Sequence, residues 1–174
     1  MSTSREILKA RALLLAREPR ASVESHALLE VVEFRLAEER YAVETVHVRE
    51  VCPFKDFTPL PCVPPFVRGI MHVRGIVLAV IDLKRFFDLP EQGLGELNKV
   101  IILRGADMQF GILADSIDGV WNVPCDSIQS SLPSLTGVRA EYLRGVTPEG
   151  LVILDGAKLL SSKRLIVHEE VANP

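Results

Sequence analysis

Four histidines and three cysteines are the side chains of this sequence best suited to nucleophilic or metal chemistry. His26, His47, His72 and His168 lie far apart, with no pair spaced to hold zinc from one helix face. Cys52, Cys62 and Cys125 are odd in number and form no C-x-x-C, which argues against a disulfide framework or a structural zinc and fits a reducing cytoplasm. Cys62 with His72 is the one pairing that approaches a nucleophile and its base. Cys62, however, sits in a proline-rich stretch, where a small apolar role is the commoner one. The nucleophile elbow, the Walker loop and the dinucleotide glycine motif are all missing. The expectation is a protein without catalysis, cofactor or metal.

Charge narrows the partners. Twenty basic residues against 23 acidic give a net charge of −3, and aromatics are 6%. The basic positions Arg68, Arg74, Arg104 and Arg144 fall at turns or strand ends, not along one stripe, so no nucleic-acid face is expected. Arg74 is singled out by its setting: Arg74-Gly75 separates two apolar runs, and an arginine at a hairpin tip has no packing duty. Residues 1–22 differ chemically from the rest, carrying net +3 against −6 for the remainder. No stretch approaches the ~20 apolar residues that span a bilayer, and no signal-peptide core is present.

Positioning these residues falls to short strands. Residues 4–18 read as a helix that Pro19 ends, with Ser4 as N-cap, in an N-terminal extension over 1–22. From residue 31 the period becomes two: Val32, Phe34 and Leu36 alternate with Glu33 and Arg35, and Glu38-Glu39-Arg40 turns the chain. Residues 52–65 hold five prolines and read as a loop with little ladder bonding. Strand pairs follow at 67–73 with 76–81, 100–103 with 110–114, and 142–146 with 151–154. Another strand runs to Pro124, and short helices follow the N-caps Asp82 and Asp155. Short strands with many Gly/Pro turns indicate small β-barrels or a sandwich.

A weak repeat supports two related units. Val67-Arg68-Gly69-Ile70 leading to Asp82 recurs as Leu143-Arg144-Gly145-Val146 leading to Asp155, with a seam expected near 88–97. Many strands are continuous Val/Ile/Leu runs. Two cores set back to back would consume that apolar surplus; otherwise part of it remains at edges or grooves where partners dock.

Phe66–Phe87, Phe110–Val120 and Tyr142–Leu160, preceded by Phe34–Val51, together resemble the CheW-type adaptors of bacterial chemotaxis. The resemblance covers about 31–162, leaving 163–174 as a tail. It implies an all-β fold of two SH3-like five-stranded β-barrels packed around a shared core, with the N-terminal helix and short helices added. It implies a non-catalytic scaffold coupling a CheA-type histidine kinase, through its CheW-like regulatory domain, to the cytoplasmic tip of methyl-accepting chemoreceptors. Such a protein would be cytoplasmic, at membrane-associated receptor arrays, without membrane insertion. By resemblance, Arg74, Gly75, Val100, Gly111, Ile117 and Val120 face the receptor, and Val48, Glu50 and Gly69 face the kinase. His72 departs from the family's usual asparagine. The extra N-terminal helix points to a specialised adaptor, with a pilus-motility or other non-flagellar pathway as the alternative output.

Overall fold

The computed structural model describes residues 27–90, 99–130 and 137–165. The expected helix over 4–18, most of the tail and residues 91–97 of the expected seam lie outside them. Eleven strands dominate the described residues. β1 (Leu28–Leu36) and β2 (Glu39–Glu44) form a hairpin, followed by β3 (Val48–Pro53), β4 (Phe57–Thr58), β5 (Val67–Val73) and β6 (Ile76–Ile81). β7 (Lys99–Arg104) and β8 (Gln109–Ala114) form another hairpin, followed by β9 (Ser116–Pro124), β10 (Leu143–Val146) and β11 (Val152–Leu154). Three short helices are interspersed: α1 (Leu83–Phe86), α2 (Val138–Glu141) and α3 (Gly156–Leu160).

The first turn comes slightly earlier than the charged triplet implied, because Ala37 takes a left-handed φ of 56° and lets Glu39 start the return strand. The proline-rich stretch is not free of ladder bonding either. Between its prolines, Phe57 and Thr58 pair with Met71 and Ile70. Both Asp N-caps form as expected: Asp82 Oδ1 accepts from the Lys84 amide and Asp155 Oδ1 from the Lys158 amide, each at 3.0 Å.

The strands make two sheets. One runs β10-β11-β2-β1-β9 and the other β3-β7-β8-β6-β5-β4; we refer to them as the first and second barrel. The repeat is sequential, but the barrels are not. Each repeat lends its leading hairpin to the other's sheet, so β1–β2 lies against β9 and β11 while β7–β8 lies against β3 and β6. The barrels therefore do not divide at residues 88–97.

This exchange accounts for the apolar surplus. Along the second barrel Val80, Val100, Ile102 and Leu113 fill the barrel interior, while Ile81, Ile101, Leu103 and Ile112 turn into a core shared with the first. In the first barrel Val31, Ala42 and Ile153 face inward, and Phe34, Tyr41, Val43 and Leu154 join the shared core. Strands buried on both faces need apolar residues at every position. Each such side chain contributes roughly 1.5–3 kcal/mol by burial, so the three core clusters among the described residues hold the fold together.

The two repeats also share a close approach. Gly69 has φ +142°, and a Cβ there would overlap the Thr58 carbonyl of β4. A Cβ on Gly145 would come 2.6 Å from the Gln129 carbonyl, where Gln129 bridges Val146. Each glycine thus lets a crossing segment sit directly on its hairpin.

Candidate functional site

The mouth of the second barrel gathers the most distinctive surface residues. β5 and β6 are joined by Arg74-Gly75, with φ of 49° and 80°. Two positive φ values in a two-residue loop match the twist of the flanking strands. Glycine adopts that conformation freely, whereas an arginine pays of order 1 kcal/mol for it. From this tip the Arg74 Nε donates to Glu50 Oε2 at 3.0 Å. β3 and the β5–β6 hairpin stand toward opposite ends of their sheet, so the pair spans the barrel mouth. The Arg74 side chain is 75% exposed and Glu50 is 20% exposed. Because Nε alone is engaged among the described residues, both terminal nitrogens are left there to receive a planar carboxylate. Ile76 and Val77, beside the turn, are exposed apolar residues.

Electrostatics behind this tip are mild. Burial, with Glu50 adding to it, pushes the Cys52 thiol up, so this cysteine stays a neutral inward-facing residue. Cys62 is exposed and no hydrogen bond joins it to His72 among the described residues. None of the described His, Cys, Asp and Glu residues cluster into a metal site.

The expected contact residues separate by burial. Arg74, Gly75 and Val120 are exposed, and Glu50 is within reach of solvent. Arg74 and Glu50, expected on receptor and kinase faces respectively, are brought together in one ion pair. Val48 and Ile117 are half-buried against the shared core. Three of the expected contacts are buried within the fold. Val100 is fully buried inside the second barrel. Gly111 is buried too, and a Cβ there would stand 2.5 Å from Val100 Cγ1, so these two residues pack on each other. Gly69 lies beneath β4, so its requirement is conformational. Ile117 and Val120 sit on β9, in the first barrel, apart from the sheet that carries Arg74. Sequence reasoning missed Trp121, 54% exposed on the same strand. Its only signal was being the sole tryptophan.

Comparison with known proteins decides the family. The CheW-like domain profile matches residues 30–164. The chain belongs to the CheW-like domain family. It is 36% identical over 143 residues to the chemotaxis protein CheW of Treponema pallidum, covering 78% of this chain and 84% of that one. It is 33% identical over 137 residues to the protein FrzA of Myxococcus xanthus, covering 75% and 84%. Its fold is similar to the crystal structure of the scaffolding protein TtCheW from Thermoanaerobacter tengcongensis, with a TM-score of 0.66, 28% identity, and 74% and 84% of the two chains covered. This CheW-like chain is a chemotaxis adaptor with no catalytic activity, and the expectation of two barrels around a shared core holds. No helix among the described residues is long and apolar enough to cross a membrane.

Proposed function

We propose that this adaptor couples a CheA-type histidine kinase to the cytoplasmic tip of methyl-accepting chemoreceptors, at membrane-associated arrays, using the mouth of the second barrel. One observation carries the reading. Arg74 occupies a backbone conformation that disfavours it, yet leaves three-quarters of its side chain in water. Such strain belongs at positions kept for contact rather than for stability. Glu50, with Val48 beside it on β3, faces the kinase's CheW-like regulatory domain; Arg74-Gly75 faces the receptor at the same mouth, and Ile117 and Val120 form a separate receptor contact on β9 of the first barrel. The Arg74–Glu50 ion pair then links the two contacts, so binding at one side biases the geometry offered to the other. The match to FrzA favours a second output, the same adaptor serving a non-flagellar chemosensory pathway.

Separate titrations of a kinase regulatory domain and a receptor-tip fragment test this assignment. Val48 is half-buried against the shared core, so Glu50 is the cleaner probe of the kinase face. Glu50→Lys should weaken kinase binding at least about tenfold, since it sets two like charges together at the contact. If kinase binding is the same with Glu50→Lys in a folded protein, β3 is not the kinase face.

A further inference from the structure

The mouth of the first barrel holds a groove lined by none of the residues assigned above to the kinase or the receptor. Its volume is about 440 Å³, and Glu33, Arg40, Trp121, Pro124, Glu149 and Leu151 line it. At its base Glu33, 5% exposed, accepts from Arg40 Nε at 2.6 Å. That hydrogen bond first, with Glu33, Asp118 and Glu149 as nearby charges, holds the Arg40 guanidinium above its ordinary range. Glu33 is taken up by Arg40 and Asp118 pairs with Arg35 at 2.9 Å, so Glu149 is the carboxylate of the groove open to a further cation. On one wall the Trp121 indole lies over Gly119, where a Cβ would stand 3.5 Å from the ring. Exposed Trp121 and, on the adjoining strand, exposed Leu28 give the rim an apolar edge.

We propose that this groove is the docking site of the chain's own N-terminal segment, residues 1–22. Connectivity brings the segment there. The chain enters the fold at Ala27, whose carbonyl accepts from the Cys125 amide at 2.8 Å, next to the Trp121–Pro124 wall. Residues 23–26 form a tether of at most about 14 Å, so the segment begins within reach of the groove. Its chemistry is complementary. Arg5, Lys9, Arg11, Arg17 and Arg20 outnumber Glu6 and Glu18, and Ile7, Leu8, Leu13, Leu14 and Leu15 supply apolar side chains. Its leucines match the exposed apolar rim of Leu28 and Trp121, and its cations match Glu149 and the open indole face. A tether this short raises the local concentration to about the millimolar range, so each contact needs little intrinsic affinity.

Trp121 is the only tryptophan, so the intact protein reports on its own groove. The experiment compares emission and acrylamide quenching of the full chain with Leu13→Asp/Leu14→Asp, Arg17→Glu/Arg20→Glu and, on the groove side, Glu149→Lys. The wild-type indole should be shielded. Each variant should shift emission to the red and raise the quenching constant about twofold, as a covered aromatic face becomes open. Raised salt should move the wild type in the same direction. An indole that is equally quenched in wild type and all variants overturns the proposal. So does shielding that disappears on dilution together with a fall in mass from dimer to monomer, because the segment would then be docking on a second copy.

Discussion

Replacing Arg74 with glycine separates a stabilising role for this residue from a contact role. The change removes the ion pair to Glu50, and for a side chain 75% exposed that pair is worth about 0–1 kcal/mol. It also relieves the left-handed strain at φ 49°, a gain of about 1 kcal/mol. Against this stands the greater freedom of glycine in the unfolded chain, about 0.4–1 kcal/mol. These terms offset one another, so net stability should change by less than about 1 kcal/mol, a melting shift of about 2–4 °C at most for a domain of this size. Arg74→Ala keeps the strain and loses the pair, so it should be the slightly less stable of the two. Both variants lose the guanidinium fork and should lower receptor-coupled kinase stimulation at least about tenfold, equivalent to ~1.4 kcal/mol. Arg74→Lys should recover only part, because a point charge does not reproduce a planar fork. The assay is a thermal melt run beside kinase activity in a mixture with receptor. A melting drop beyond about 8 °C for Arg74→Gly would refute the reasoning, since barrel closure would then depend on the ion pair.

Gly111→Ala should cost about 1–3 kcal/mol by overpacking against Val100 and Leu78, and adding Val100→Ala should return part of it; thermal melts of both decide. The folded fraction of either should still couple kinase to receptor, since neither side chain reaches the surface. Stability should also fall at alkaline pH through Tyr41, whose hydroxyl donates to Glu39 Oε2 at 2.6 Å. Burial first, then that hydrogen bond, holds the phenol well above its usual value of 10.0, so the unfolded chain ionises first. The contribution is complete below pH 10 and is lost as pH rises above it. Tyr41→Phe should cost about 1 kcal/mol at neutral pH and show a shallower alkaline decline in denaturant midpoints.

Local signals in the sequence located what is local in the fold. The β5–β6 hairpin lies where Arg74-Gly75 between apolar runs placed it, and Asp82 and Asp155 cap the helices that follow. The repeat is genuine down to the register shift after Val67 and after Leu143. The hairpin exchange was not legible, because partners such as Val152 and Tyr41 are far apart in the chain and carry no local mark of their pairing. The same physics hid the burial of Val100 and Gly111. A strand buried on both faces has no alternation to show which side meets a barrel interior, a shared core or solvent. Nor did any spacing rule join Glu50 to Arg74, since their meeting depends on how the sheet curls. Trp121 was legible as a residue type but not as a surface, since its exposure follows from β9 lying at the edge of its sheet.

The most direct test of adaptor function is a reconstituted mixture of a CheA-type kinase, receptor fragments presented on vesicles, and this protein. Kinase autophosphorylation is measured with and without each component. Adaptor function predicts that receptor stimulates the kinase only when this protein is present, and that Arg74→Ala abolishes the stimulation while leaving the fold intact. Stimulation that is independent of this protein, or equal with Arg74→Ala, would contradict it.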